Sequence, residues 1–248
     1  MADYIYGINP VKEGLSGRRR PLELFVEEGV ERDRINELII LAKAREVAVR
    51  RRRKEDLTRL VGNAHHQGAV LSLEDFSYVA IEDLLAEWQA CGQDGLFLLV
   101  DGITDPHNLG ALLRNADAAG CQGVIIPKDR NCRITNIVDK ASAGAAEHLS
   151  ICQVTNLARA IQQLQAAGVW VYGLAAGEPA ASLYRENLRG NLALVVGSEG
   201  QGLRQRTRDL CDGLLEIPMQ GEVSSLNASA AAAVALFEVV RQRLADQA

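Results

Sequence analysis

Between residues 96 and 100 stand five apolar side chains in a row, "LFLLV", closed by an Asp-Gly pair at 101–102. A strand without apolar–polar alternation is buried on both faces, which happens in parallel sheets covered by helices above and below. The following residues obey the same constraint. "GVIIP" at 123–127, "LSICQV" at 149–154, "VWVYGLA" at 169–175, "NLALVVG" at 191–197 and "GLLEIPM" at 213–219 read as further strands. The helical patterns "HNLGALLRNADAAG" (107–120), "ITNIVDKASAGAAEH" (134–148), "LARAIQQLQAAG" (157–168) and "LRQRTRDLC" (203–211) lie between them, and an alanine-rich helix comes last. Strands alternating with helices predict a Rossmann-like α/β domain over 95–248, with ligands gathered where the strands end.

Residues 1–75 read as a smaller α/β unit: strand 22–28, helix 31–47, short strand 47–49, helix 54–61 and strand 68–76. Residues 76–94 connect the two domains and turn helical from 81 to 91. The net charge of −5 argues against a protein that coats nucleic acid non-specifically. The charge is unevenly spread, with 14 Lys/Arg against 13 Asp/Glu in 1–75 and 13 against 19 in 76–248. Two basic runs fall in the first part: Arg18, Arg19 and Arg20, then Arg50, Arg51, Arg52, Arg53 and Lys54. Either run alone suits a solvated surface. Two in one small unit point to a polyanion partner.

Three loops that follow strands have compositions suited to a ligand. The first, "DGITDPHNLGALLR", leads from Asp101 into a helix for which Asn108 is a natural N-cap, with Arg114 close behind. Read from these residues alone, Asn108 caps and Arg114 is either a surface charge or a group facing the loop. The second, "VVGSEGQGL", holds glycines at 197, 200 and 202 around one acid, Glu199. This is neither the G-x-G-x-x-G spacing of a dinucleotide fold nor a P-loop, so a ligand gripped by backbone groups beside a carboxylate fits better. The third, "IPMQGEVSSLNASAAAAV", supplies Ser224, Ser225 and Asn227 at a helix start and then six alanines between 228 and 235. Such a helix predicts close backbone approach from more than one side.

Several functions are disfavoured. The five cysteines are scattered and form no C-x-x-C pair, which reads as reduced thiols of a cytoplasmic protein rather than disulfides or a zinc site. His65, His66, His107 and His148 match no metal-ligand spacing and no Ser-His-Asp set. No apolar run is long enough to span a bilayer, and the first residues carry no secretion signal.

The three loops together resemble the motifs of the SpoU family of RNA ribose 2′-O-methyltransferases, carried here by "NLGALLR", "VVGSEGQGL" and "IPMQGEVSSLNASAAAA". The stretch from "YIYGINPVKEGL" to "HHQGAVLSLEDF" is similar to the small L30e-like substrate-binding domain of the same family. The resemblance implies a trefoil-knotted SPOUT methyltransferase domain, the alanines permitting a threaded crossing. It also implies S-adenosyl-L-methionine as cofactor, with Gly197, Ile217 and Leu226 meeting it through their backbone and Met219, Ser225, Asn227 and Glu199 close by. Arg114 is implied as the residue that activates the ribose hydroxyl, helped by Asn108, Glu199, Ser225 and Asn227. A homodimer is implied as well, with RNA bound along Arg18, Arg19, Arg20, Arg50, Arg51, Arg52, Arg53, Lys54 and Arg114, and with no metal and no membrane.

The subgroup resembled most methylates a guanosine of 23S rRNA. A tRNA ribose methyltransferase would share the three motifs, and a non-catalytic RNA-binding assembly factor could keep the same scaffold. Intact Asn108, Arg114, Glu199, Ser225 and Asn227 count against the latter, and the glycine spacing counts against a nicotinamide-dependent oxidoreductase.

Overall fold

In a computed structural model of the chain, residues 3–17, 19–29, 33–62, 64–74, 76–177 and 180–245 are described. They fall into two compact units. The first takes the described residues of Met1–Ser77 together with Ile134–His148, and the second takes Tyr78–Arg133 and Leu149–Ala248.

The first unit is built on a four-stranded sheet of β1 (Asp3–Tyr6), β2 (Pro21–Glu27), β3 (Ala48–Arg52) and β4 (Ala69–Leu73), in the order β1-β4-β2-β3. β4 runs antiparallel to both its neighbours, and β2 pairs with β3 in parallel. α1 (Ile8–Ser16) and α2 (Asp33–Ala44) bury Val11, Leu15, Ile35, Leu38 and Ala42 against one face. α3 (Lys54–Val61) sets Leu57 against Tyr6, Phe25 and Val70 on the other. β3 is an edge strand, and it carries Arg50, Arg51 and Arg52 into solvent.

The stretch 134–148, read above as one helix, is two shorter pieces. α6 (Asn136–Ala141) stops where Ala143 and Gly144 take left-handed backbone angles, and a 3₁₀ turn, Ala145–Glu147, follows. Residue 144 is glycine for space as well as conformation, since a Cβ on this backbone would stand 2.2 Å from the Cβ of Glu13 in α1.

The second unit is a seven-stranded, wholly parallel sheet. Its strands are β5 (Leu96–Asp101), β6 (Gly123–Pro127), β7 (Ser150–Val154), β8 (Trp170–Leu174), β9 (Ala181–Ser182), β10 (Leu192–Gly197) and β11 (Gly213–Glu216). They stand in the order β7-β6-β5-β10-β8-β11-β9. Every residue of the central strands β5 and β10 is buried, as the unbroken apolar runs require. On one face α4 (Ile81–Cys91) and α7 (Leu157–Ala166) cover Phe97, Leu99, Ala193 and Val195. Elsewhere α5 (Pro106–Ala118) and α9 (Ala228–Ala245) pack together, and α9 also meets β10.

The alanines resolve into a pattern the sequence does not separate. Ala228, Ala232 and Ala235 continue into Leu236 and Val239 as one buried stripe, while Ala230 is exposed. Small side chains let α9 lie close to α5, and the bulky residues arrive only in its second half. Among the described residues no helix is long and apolar enough to cross a membrane.

Candidate functional site

The C-terminal ends of β10, β8 and β11, adjacent in the sheet, open into a cavity of about 340 Å³. Its floor and walls come from Leu174, Ala175 and Ala176 after β8, from 196–203 at the end of β10, and from Ile217, Met219, Ser224, Ser225 and Leu226 after β11. Of the expected cofactor contacts, Gly197, Ile217, Met219, Ser225 and Leu226 thus line one space, and Glu199 lines it too. Asn227 lies between the lining residues Leu226 and Ala228 without lining the cavity itself.

The glycine loop has two separate reasons for its composition. Ser198 and Gly202 pair across it, the Ser198 N–H donating to Gly202 O at 3.2 Å and the Gly202 N–H to Ser198 O at 2.9 Å. This draws the backbone back over Gly197, where a Cβ would stand 2.2 Å from the carbonyl carbon of Gly202, so residue 197 must be glycine for space. Gly200 and Gly202 face no such obstruction and instead take φ of +82° and +65°, which a side chain disfavours.

Three amide and carboxylate side chains from three loops interlock at this end of the sheet. Asn108 Nδ2 donates to Glu199 Oε1 at 3.1 Å, Asn227 Nδ2 donates to Asn108 Oδ1 at 3.0 Å, and Asn227 Nδ2 also donates to Glu199 Oε1. The remaining oxygen of Asn227 caps α9, accepting from Ser229 N at 2.9 Å, Ser229 Oγ at 2.6 Å and Ala230 N at 3.3 Å. One side chain therefore starts the last helix and fixes the orientation of Glu199. Asn115 adds a second tie from α5 to α9, donating to Ser229 O at 2.9 Å.

Two expectations change here. Asn108 is not the N-cap of α5. The helix starts earlier, with Pro106 as its first residue and Asp105 as the cap, whose carboxylate accepts from His107 N at 3.1 Å. Proline at the first position needs no N–H and presets φ, so Asp-Pro was the true start signal. Asn108, two residues inside the helix, is thereby free to face the glycine loop. The second change concerns Arg19, which is only 8% exposed. Its Nε donates to Glu147 at 2.6 Å and its Nη2 to Asp139 at 2.8 Å, and its guanidinium lies over the Phe76 ring. Buried and committed to two carboxylates, Arg19 does not offer its charge to a polyanion.

The other cations differ. Arg114 is exposed on α5 and makes no hydrogen bond or ion pair with any described residue, nor does it line the cavity. Arg51, Arg52, Arg53 and Lys54 are exposed, as is Arg50, which pairs with Glu23. Arg20 is exposed beside Glu74 at 3.8 Å, and Arg18 lies outside the described residues.

Sequence reading did not single out 174–176 or Arg208, which also line the cavity. Their signal is position at the end of β8 and on the helix after the glycine loop, and it becomes legible only once β8 is known to lie beside β10. Three of the five thiols are held protonated. Burial pushes Cys121, Cys152 and Cys211 up to about 12, which removes the thiolate form at neutral pH. No group of three or more His, Cys, Asp or Glu able to hold a metal occurs among the described residues.

Known proteins are similar to this chain in sequence and in fold. Residues 95–237 match the SpoU rRNA methylase family, and residues 4–79 match the domain described as RNA 2′-O ribose methyltransferase substrate binding. The 23S rRNA (guanosine-2′-O-)-methyltransferase RlmB of Xanthomonas campestris pv. campestris is 44% identical over 242 residues, covering 97% of either chain. Its counterpart in Shewanella oneidensis is 45% identical over 97% of this chain and 98% of its own. Among solved structures, the SpoU methyltransferase AviRb from Streptomyces viridochromogenes, in complex with AdoMet, superposes with a TM-score of 0.81 at 22% identity, over 98% of this chain and 90% of that one. An AdoMet-bound rRNA methyltransferase from Sinorhizobium meliloti gives 0.80, also at 22%, over 97% and 87%.

Proposed function

Because this chain belongs to the SpoU rRNA methylase family, we propose that it methylates the ribose 2′-oxygen of a guanosine in 23S rRNA, with S-adenosylmethionine as methyl donor. The fold class expected from the three motifs, a small α/β substrate-binding domain followed by a SpoU-type methyltransferase domain, is the one found. The observation that carries the reading is the joining of Asn108, Glu199 and Asn227 beside the cavity, since it brings all three motifs to one place.

The cavity suits the cofactor. Leu174, Val196, Ile217, Met219 and Leu226 offer apolar walls, and in this reading the backbone folded over Gly197 meets the cofactor through main-chain groups. Glu199 supplies a negative charge for a cationic ligand. Bound there, S-adenosylmethionine presents a methyl group on a positive sulfur that departs as a neutral thioether, so the donor itself provides the electrophile. The chain's own task lies with the ribose hydroxyl, a poor nucleophile until its proton is drawn away.

In this reading Gly197, Ile217 and Leu226 hold the cofactor through their backbone, with Met219 and Ser225 beside them. Asn227 and Asn108 keep the Glu199 carboxylate turned toward the site. Arg114 acts on the ribose and its phosphate. A guanidinium is a reluctant base and a good partner for anionic oxygens, so its role is to hold the target phosphate or stabilise the developing alkoxide. Arg114 does not line the cavity of its own chain, which favours a homodimer in which a second copy completes the RNA site. The exposed cations at 50–54 and Arg20 then follow the RNA backbone.

Calorimetric titration with S-adenosylmethionine tests the cofactor, and absence of binding removes the enzyme reading. Mapping 2′-O-methyl groups in rRNA and tRNA from cells with and without the gene tests the substrate. Loss of a guanosine mark in 23S rRNA is the expected result, and loss of a tRNA mark alone would replace it.

A further inference from the structure

The glycine loop is anchored at a residue that neither the cavity nor the three motifs include. Asp101 ends β5, in register with Gly197 at the end of β10. The residue is 1% exposed, unusual for a carboxylate. One oxygen, Oδ2, accepts from the backbone N–H of Arg204 at 3.0 Å. The other, Oδ1, has no hydrogen-bond partner among the described residues, and the nearest charge is Arg204 Nε at 3.4 Å. The next residue shares in the arrangement. Gly102 has φ of +86°, a conformation that favours glycine, and its Cα faces the tip of the Arg204 side chain.

Arg204 is where the glycine loop leaves for α8 (Gln205–Leu210). The loop is therefore pinned twice, once at its neck by the Ser198–Gly202 pair and once at its exit by Asp101. Within the loop that they hold stands Glu199, the one acid among the residues lining the cavity. A buried carboxylate is costly unless hydrogen-bonded and paired, and an apolar replacement would leave the Arg204 N–H without its acceptor. Asp101 also begins the loop that leads to Asp105 and Asn108. One buried anion thus joins the strand end that precedes the first motif to the loop of the second.

We infer that Asp101 is a positioning residue: by clamping Arg204 across the ends of β5 and β10, it holds the glycine loop in the shape that receives S-adenosylmethionine. This rests on the reading of the cavity given above. It acts through the loop and does not touch the reacting atoms.

The test titrates S-adenosylmethionine calorimetrically into the full-length wild type, Asp101→Ala, Asp101→Asn and Gly102→Ala, with melting curves and the KM for RNA measured beside it. Asp101→Ala is expected to weaken cofactor binding by roughly tenfold or more, the scale of one lost charge-assisted hydrogen bond. Asp101→Asn keeps an oxygen for the Arg204 N–H and is expected to recover most of that loss. The KM for RNA stays unchanged in both, whereas a merely structural role would lower both affinities together. Wild-type cofactor affinity in Asp101→Ala or, should that variant not fold, in Gly102→Ala overturns the inference alone. A wild-type chain that does not bind S-adenosylmethionine overturns the cofactor reading and the inference with it.

Discussion

Arg19 and Arg114 are the same side chain put to opposite uses. Arg19 is buried in the first unit with its donors spent on Asp139 and Glu147, and Arg114 stands exposed on α5 with no partner among the described residues. Burying an ion pair costs several kcal/mol of desolvation per ion, which close geometry and further hydrogen bonds offset. An exposed arginine pays nothing and gains nothing until an anion arrives. A committed cation therefore belongs to stability, and an uncommitted one is available to a substrate.

The largest effect expected from this contrast is on folding. Replacing Arg19 with Ala leaves two buried carboxylates without their counter-charge, and the first unit should lose about 3–5 kcal/mol in denaturant titration. The S-adenosylmethionine affinity of the second unit should be retained. Destabilisation below about 1 kcal/mol would place Arg19 with the surface cations.

Arg114→Ala should do the reverse. Turnover is expected to fall by roughly 10²–10³, the scale of losing one group that stabilises developing charge, while the melting temperature stays put. Arg114→Lys sharpens the point, because lysine keeps the charge and loses the planar fork. Near-normal turnover in that variant would show that charge alone suffices. An Arg114→Ala protein with normal turnover would remove the residue from the site.

The contrast also marks where sequence reading stops. Arg18–Arg20 and Arg50–Lys54 look alike as charge runs, and nothing local says that residue 19 will be met by acids 120 and 128 positions away. What is legible is periodicity. "KEDLTRLV" and "LFLLV" give α3 and β5 their places because helix faces and doubly buried strands have their own patterns. α1 escapes notice because Pro10 and Gly14 interrupt its helical pattern. Proline is harmless in the first turn, where no N–H is needed, and a Cβ at Gly14 would stand 2.4 Å from Ile5 Cδ1. β3 runs on into Arg50, Arg51 and Arg52 because pairing with β2 outweighs their weak strand preference.

At the site, the chemistry of Asn108, Glu199, Ser225 and Asn227 can be read from three loops, since polar residues after strands are rarely there to pack. The bonds between residues 91 and 119 positions apart cannot be, because they depend on the order of strands in the sheet.

The exposed run tests the uncommitted class more gently. Reversing Arg51, Arg52 and Arg53 to Glu should weaken RNA binding and lower its salt dependence, each lost phosphate contact reducing the slope of log K against log salt by about 0.7–0.9. S-adenosylmethionine affinity should not move. An unchanged salt slope would mean that RNA takes another path.

The smallest effect is expected where both fates meet in one side chain. The oxygen of Asn227 is committed to capping α9, and its nitrogen donates to Asn108 and Glu199. Asn227→Ala loses both and should cost about 0.5–2 kcal/mol of stability, the scale of a helix cap, together with activity. Asn227→Asp keeps an oxygen for the cap, and a negative charge at a helix start is favourable. It loses the amide donors and sets a second carboxylate against Glu199. Stability should then stay near wild type while cofactor affinity falls several-fold, as melting curves and calorimetry run on the same samples can show. Should Asn227→Asp bind cofactor as well as wild type, the link to Glu199 is ornamental and Asn227 is only a cap.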